Sequence, residues 1–314
     1  MDHRIGSVIA AVLAISFVAL LLMLAACGGG GGGGGPPPPP PTPTIADVTS
    51  FLATSRCPDG VPAAFEPGCA AAPQKASDVM TWRRHDWSGH IDGQVEDAFV
   101  SDGGSYYVNT FSYPPNGPFV PSNGDGGDVL VTDGTTVRID FTQNGDGNGG
   151  TRFNYWCGGT GWVSFDDAAP TGSWRGEVAS LNSSPSPGGC PSGLNSAYTQ
   201  WRLETVDVPY VIQNNSQKVA SLPAVISEHY GAASASAARS MERVVMAQGI
   251  GRVLWEAWTT TGPGASFTCP GIAGWSDPPA PGWYLQDRRC LTQFEPDGVL
   301  TGDAFAWPGA GFAP

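Results

Sequence analysis

Two glutamates stand where a carboxyl group could work as an acid or a base: Glu228 in Ser227-Glu228-His229-Tyr230 and Glu256 in Trp255-Glu256-Ala257-Trp258. Glycoside hydrolysis needs two carboxyls, about 5–5.5 Å apart for retention or about 6.5–9.5 Å for inversion, with apolar surroundings keeping one protonated. On a strand, the same-face neighbours of Glu256 are Leu254 and Trp258, the kind of setting such an acid needs. Glu242, Arg243 and Arg252 supply the competing account, a structural ion-pair cluster tying a helix to the sheet.

Metal chemistry has two candidate sources. Asn123-Gly124-Asp125-Gly126-Gly127-Asp128 and Asn144-Gly145-Asp146-Gly147-Asn148-Gly149 alternate side-chain oxygens as calcium loops do, which makes Asp125, Asp128 and Asp146 the candidate ligands for Ca²⁺. The second stretch fits the opening of an EF-hand loop, but Tyr155 stands at the twelfth position, where a bidentate Glu belongs. A hairpin tip rich in Asn, Asp and Gly needs no metal, because these residues tolerate positive φ. His85 and His90 could meet Glu228 or His229 around zinc. Their spacing of five does not put them on one helix face, and hydrogen-bonded or solvent-facing histidines are the plainer reading.

The 11 tryptophans are the most unusual feature. An exposed indole stacks on the CH-rich face of a sugar, which complements the ring's negative quadrupole. Trp275 and Trp283, in a Pro- and Gly-rich segment, are the first candidates for ligand binding, followed by Trp87 and Trp307. Trp156, Trp174, Trp201 and Trp255 are expected in the core. A fully structural role for nearly all of them is the alternative.

The elements that must position these groups read as strands. Val137-Arg138-Ile139-Asp140-Phe141 alternates apolar and polar residues, and Asp128 to Thr132 meets it across Asp133-Gly134, a strong hairpin signal. Thr151 to Cys157, Gly161 to Phe165, Trp174 to Ser180, Tyr198 to Val206 and Gly251 to Trp258 add short β segments bounded by turn residues. The spacing predicts one helix over Ala235 to Gln248, capped at Ser234 or Ser236 and ended by Gly249 and Gly251. The expected fold class is mainly β, an antiparallel β-sandwich or jelly-roll-like domain with one short helix over residues 45–314.

Ahead of this domain, Val8 to Ala26 carries no charge and follows Arg4, as in a secretion signal. Its end, Leu24-Ala25-Ala26-Cys27, resembles the lipobox of bacterial lipoproteins. The resemblance covers the first 27 residues only. It implies removal of residues 1–26 and acylation of Cys27, so that the protein is held to a lipid bilayer by acyl chains, each buried CH₂ contributing about 0.8 kcal/mol. Gly28 rather than Asp after the Cys favours the outer membrane. The length of the apolar run leaves an uncleaved membrane-spanning anchor as the alternative. Residues 27–44 form a tether: Gly28 to Gly35 is a swivel of maximal backbone entropy, and Pro36 to Pro41 a stiff spacer of about 3.1 Å per residue.

Six cysteines remain, an even number that in an exported chain reads as disulfides. Separations of 12, 33 and 21 residues favour Cys57 with Cys69, Cys157 with Cys190 and Cys269 with Cys290. No pair has the spacing of a structural zinc site.

The formal charge of −13 and a pI near 4.5 argue against nucleic acid as a partner. Glycine without a three-residue period excludes collagen, and only 14% charged residues exclude a coiled coil. The functional expectation is a membrane-anchored extracytoplasmic module that binds carbohydrate or cell-surface polymer. The alternatives are a polysaccharide-cleaving enzyme using Glu228 and Glu256, and a structural component of the envelope.

Overall fold

Alternating strands joined by a short turn must pair antiparallel, since a parallel neighbour needs a long crossover. The computed structural model describes residues 45–52, 55–58, 63–70, 72–73, 79–85, 94–102, 105–113, 126–145, 151–157, 161–184, 195–212, 216–262, 264, 277–290 and 299–300. The strands are β1 (Ser55–Arg56), β2 (Ala72–Pro73), β3 (Val79–His85), β4 (Gln94–Asp102), β5 (Ser105–Tyr113), β6 (Gly126–Thr132), β7 (Thr136–Gly145), β8 (Thr151–Cys157), β9 (Trp162–Asp166), β10 (Arg175–Ser184), β11 (Asn195–Ile212), β12 (Ser216–Tyr230), β13 (Ser240–Ala247), β14 (Gly251–Thr259), β15 (Tyr284–Cys290) and β16 (Val299–Leu300). β1 and β2 pair alone, and the others form a 14-stranded antiparallel sheet in the order β15-β14-β13-β12-β11-β10-β8-β7-β6-β5-β4-β3-β16, with β9 on β7.

The fold is mainly β, as the alternation predicts, and consistent with a β-sandwich. The β6–β7 hairpin turns on Asp133-Gly134: Gly134 takes φ of 93°, and the Asp133 carboxylate accepts from Thr135 N, Thr136 N and Thr135 Oγ1 at 2.8–2.9 Å. Those donors, the Thr135 amide first, hold its pKa down at about 2. Val137 and Ile139 are buried while Arg138 and Asp140 are half-buried, and the side chain of Phe141 lies outside the described residues.

The helix expected over 235–248 is not there. Ser234 does cap, its Oγ accepting from Ala237 N at 3.2 Å, but only one turn forms before β13 starts at Ser240. Val244 to Ala247 are buried on both faces of the sheet, so this stretch has lost the alternation that marks a half-exposed strand and mimics helical spacing. Gly249 and Gly251, with φ of 75° and 92°, turn the chain into β14 instead of ending a helix. Among the described residues the helices are short and 3₁₀, at Val48–Phe51 and Ala63–Phe65.

β9 lies across β11 and β12 and closes the main core. Trp162 Nε1 donates to Thr199 Oγ1 at 2.6 Å, Trp201 Nε1 to Asp166 Oδ1 at 2.9 Å, and Ser227 Oγ to the Ser164 carbonyl at 2.6 Å. Around these bonds Phe165, Trp201, Leu203, Val225 and Val253 are fully buried, each contributing roughly 1.5–3 kcal/mol through the apolar area it removes from water. The segment 45–52 packs onto the same core: Phe51 meets Phe165 edge-on at 6.0 Å, and Gly249 N donates to the Ser50 carbonyl at 2.7 Å. Cys57 and Cys69 form a disulfide, as their spacing predicts. The side chains of Cys157 and Cys290, and the whole of Cys190 and Cys269, lie outside the described residues.

Candidate functional site

Five polar side chains stand directly opposite one another on five successive strands. Gln200 on β11 pairs in register with Glu228 on β12, Glu228 with Arg243 on β13, Arg243 with Glu256 on β14, and Glu256 with Arg288 on β15. Residues in register share a face, so the row forms as soon as the strands align. Gln200 Nε2 donates to Glu228 Oε2 at 2.6 Å, Arg243 Nε and Nη2 to Glu228 Oε1 at 2.9 and 2.6 Å, Arg243 Nη1 to Glu256 Oε2 at 3.0 Å, and Arg288 Nε to Glu256 Oε1 at 2.7 Å. Glu228 and Glu256 have no exposed surface, and Arg243 and Arg288 are buried beside them.

A second row lies beside it, two residues along β11 to β14 and, past a register shift, three along β15: Tyr198, Tyr230, Met241, Trp258 and Leu285. It feeds donors into the first. Tyr230 Oη donates to Glu228 Oε2 at 2.6 Å and Trp258 Nε1 to Glu256 Oε2 at 2.8 Å. Burial, and then the neighbouring Glu228 charge, push the Tyr230 phenol well above its ordinary range, so it stays a donor. The segment 277–283 reaches the same place, with the Asp277 carbonyl accepting from Arg243 Nη1 at 2.9 Å and Trp283 edge-on to Tyr230 at 6.0 Å.

The structure therefore brings Glu228 and Glu256 together on opposite sides of one guanidinium. Gln200, Tyr230, Arg243, Trp258 and Arg288 all donate to their carboxylate oxygens, and Arg243 fills the space where a glycosidic oxygen or attacking water would have to lie between the two. Leu254 and Trp258 flank Glu256 as strand alternation requires, but the Trp258 indole turns its N–H to the carboxylate. Of the expected cluster, Arg243 joins the row, whereas Glu242 alternates to the other face and Arg252 pairs with Asp128 at 3.6 Å.

On the opposite face of β12, Ser227 Oγ lies 3.0 Å from His229 Nε2, and His229 sits 5.2 Å from the Trp162 ring. Burial lowers the His229 pKa to about 4. Since the Ser227 hydroxyl donates to the Ser164 carbonyl, His229 Nε2 carries the proton that Ser227 accepts. His90 and the side chain of His85 lie outside the described residues. Asp128 is on β6, Asp125 and Asp146 lie outside the described residues, and β7 and β8 end and start at Gly145 and Thr151, flanking the expected hairpin tip. Among the described residues no three His, Cys, Asp or Glu side chains gather as a metal site.

Trp201 is buried, and Trp156 and Trp255 pack against the core as expected. Trp174 is a correction: it is 36% exposed and lies against the Arg202 guanidinium at 4.3 Å. It precedes β10 on a turn through Gly172, within the exposed run from Thr171 to Val178. Trp283 is half-buried against Tyr230, while Trp87, Trp275 and Trp307 lie outside the described residues, as does Cys27. Gln200, Tyr230 and Arg288 belong to the site although nothing in their local sequence marks them; only strand register does.

Fold and site together define an antiparallel β protein with a closed, buried ion-pair row. No family model, curated protein or solved structure matches the chain.

Proposed function

We propose that the protein is a lipid-anchored, extracytoplasmic β protein that binds carbohydrate or another cell-surface polymer without cleaving it. The observation that carries this reading over the hydrolytic one is Arg243 between Glu228 and Glu256: two guanidiniums neutralise two carboxylates, and the gap a scissile bond would need is occupied. A binding role also accords with Trp174 on the surface, since aromatic faces hold sugars through their π-systems.

The lipid anchor rests on Leu24 to Cys27 and the tether behind it. Two measurements test the proposal. Fatty-acid label should enter the wild-type chain and be absent from Cys27→Ser, which should leave the membrane fraction. A glycan array of plant, host and bacterial sugars should give signal with the purified protein; a blank array ends the binding reading, and cleavage of any arrayed glycan that is lost in Glu256→Gln restores the hydrolytic one.

A further inference from the structure

The polar row reaches the surface at its Gln200 end, beside β10. Arg175 to Leu181 of β10 pair with β11 on one side, while β8 takes up only Asn182 to Ser184 on the other. Thr171 to Val178 are all exposed, with Val178 at 54%. This margin carries two aromatic rings in held orientations.

The first is Tyr198. Gly176 stands opposite Gln200 in register, and a β-carbon placed on it would fall 2.7 Å from Tyr198 Cζ and 2.8 Å from Cε2. The hydroxyl end and one edge of the phenol ring therefore lie against the bare glycine, with the half-buried ring 5.8 Å from that of Tyr230, an arrangement any larger residue at 176 would displace. Its hydroxyl donates to Gln200 Oε1 at 3.2 Å, which Glu228 and Tyr230 hold in turn through Gln200 Nε2 at 2.6 and 3.3 Å. The second ring is Trp174, fixed by Arg202, whose Nε lies 2.8 Å from Glu204 Oε1. Because the Tyr198 ring reaches Gly176, two residues along the chain from Trp174, the two rings lie roughly 7 Å apart at strand rise, on the face that Gln200 and Arg202 share.

We infer that Tyr198 over Gly176 and Trp174 beside Arg202 form a binding site for a neutral oligosaccharide, one sugar stacking on each ring. The inference rests on the polymer-binding reading above and gives it a location. An exposed indole and a half-buried phenol along one polar strip match a chain of rings with CH-rich faces and hydroxyl rims. Arg202 and Glu204 place a donor and an acceptor beside Trp174, as a sugar hydroxyl, itself both donor and acceptor, requires. A net charge of −13 disfavours polyanionic glycans and selects neutral ones.

The test is affinity electrophoresis and co-sedimentation of the full-length, detergent-solubilised protein with chitin, cellulose, xylan, mannan and β-1,3-glucan, and with alginate as a polyanion. At least one neutral polymer should retain the wild type. Trp174→Ala and Tyr198→Ala should each bind that polymer about tenfold more weakly or worse, Gly176→Val should act like Tyr198→Ala, and Tyr198→Phe should retain binding because the ring remains. Melting curves within a few degrees of wild type separate lost binding from lost folding. Retention unchanged in Trp174→Ala and Tyr198→Ala overturns this site while leaving polymer binding in place. Retention on alginate alone overturns the neutral-glycan assignment, and retention on nothing overturns the site together with the function it rests on.

Discussion

Glu228 and Arg243 face each other across β12 and β13, and both the Nε and the Nη2 of the arginine donate to one carboxylate oxygen, at 2.9 and 2.6 Å. Each charge has left water, so each depends on the other. Attraction inside the sheet offsets a desolvation cost of several kcal/mol per ion only while the geometry is complete.

Arg243→Met should therefore destabilise the protein by about 3–5 kcal/mol, because it strands Glu228 and a share of Glu256 as uncompensated buried charge. Arg175→Met removes the exposed pair with Asp166, in which the arginine side chain is 51% exposed, and should cost about 0–1 kcal/mol. Urea denaturation of the two variants side by side checks the difference; similar midpoints would mean the buried row contributes no more than a surface pair.

His229 gives the fold an acid sensitivity with a defined sign. Its pKa falls from the ordinary 6.5 to about 4 in the folded chain, so between those values the unfolded chain takes up a proton that the folded chain refuses. Stability is whole above pH 6.5 and declines as pH falls, by about 3 kcal/mol in total at pH 4 and below, from 1.36 kcal/mol per unit. In register, Thr199 and Glu242 are its cross-strand neighbours. His229→Gln should flatten the pH dependence of the urea midpoint across this window, and an unchanged slope would assign it to other groups.

Two glycines with positive φ should respond differently to alanine. At Gly134, φ is 93° and nothing lies within 4 Å of an added β-carbon, so Gly134→Ala should cost only the backbone strain of about 1 kcal/mol. At Gly161, φ is 82° and the new carbon would lie 2.7 Å from the Ile139 carbonyl oxygen, so backbone must shift as well. Thermal melts should place Gly161→Ala clearly below Gly134→Ala.

The Cys57–Cys69 disulfide closes a 12-residue separation, which in the chain-entropy model removes about 3 kcal/mol of unfolded-state freedom. The Cys57→Ala, Cys69→Ala double variant should melt lower by the corresponding amount, and reduction of the wild type should approach it if the other thiols are unaffected.

Much of the strand pattern can be read from the chain, because a half-exposed strand must alternate. Thr151 to Cys157 matches β8 residue for residue, and Asp133-Gly134 places the β6–β7 turn. Legibility fails where alternation fails: Val244 to Ala247, buried on both faces, cannot be told from a helix by period alone. The site is half legible. Glu228, Arg243 and Glu256 stand out as charges among apolar residues, but that they meet depends on pairings across four hairpins, and Arg288 and Gln200 enter the row only through those pairings. Residue type alone places Trp174 inside, whereas its position just ahead of β10, in the exposed run from Thr171 to Val178, leaves it on the surface.

The row of alternating charges also polices how the strands align. Sliding β13 by one residue against β12 would swing Arg243 to the other side of the sheet, and sliding it by two would set the guanidinium against Ile226 or Tyr230 with both glutamates abandoned. In a meander whose neighbouring strands are rich in interchangeable valines, alanines and serines, many offsets would bury similar amounts of hydrocarbon. Only one of them lets every ion in the middle find its counterpart, so these side chains select a single alignment from a crowd of near equals.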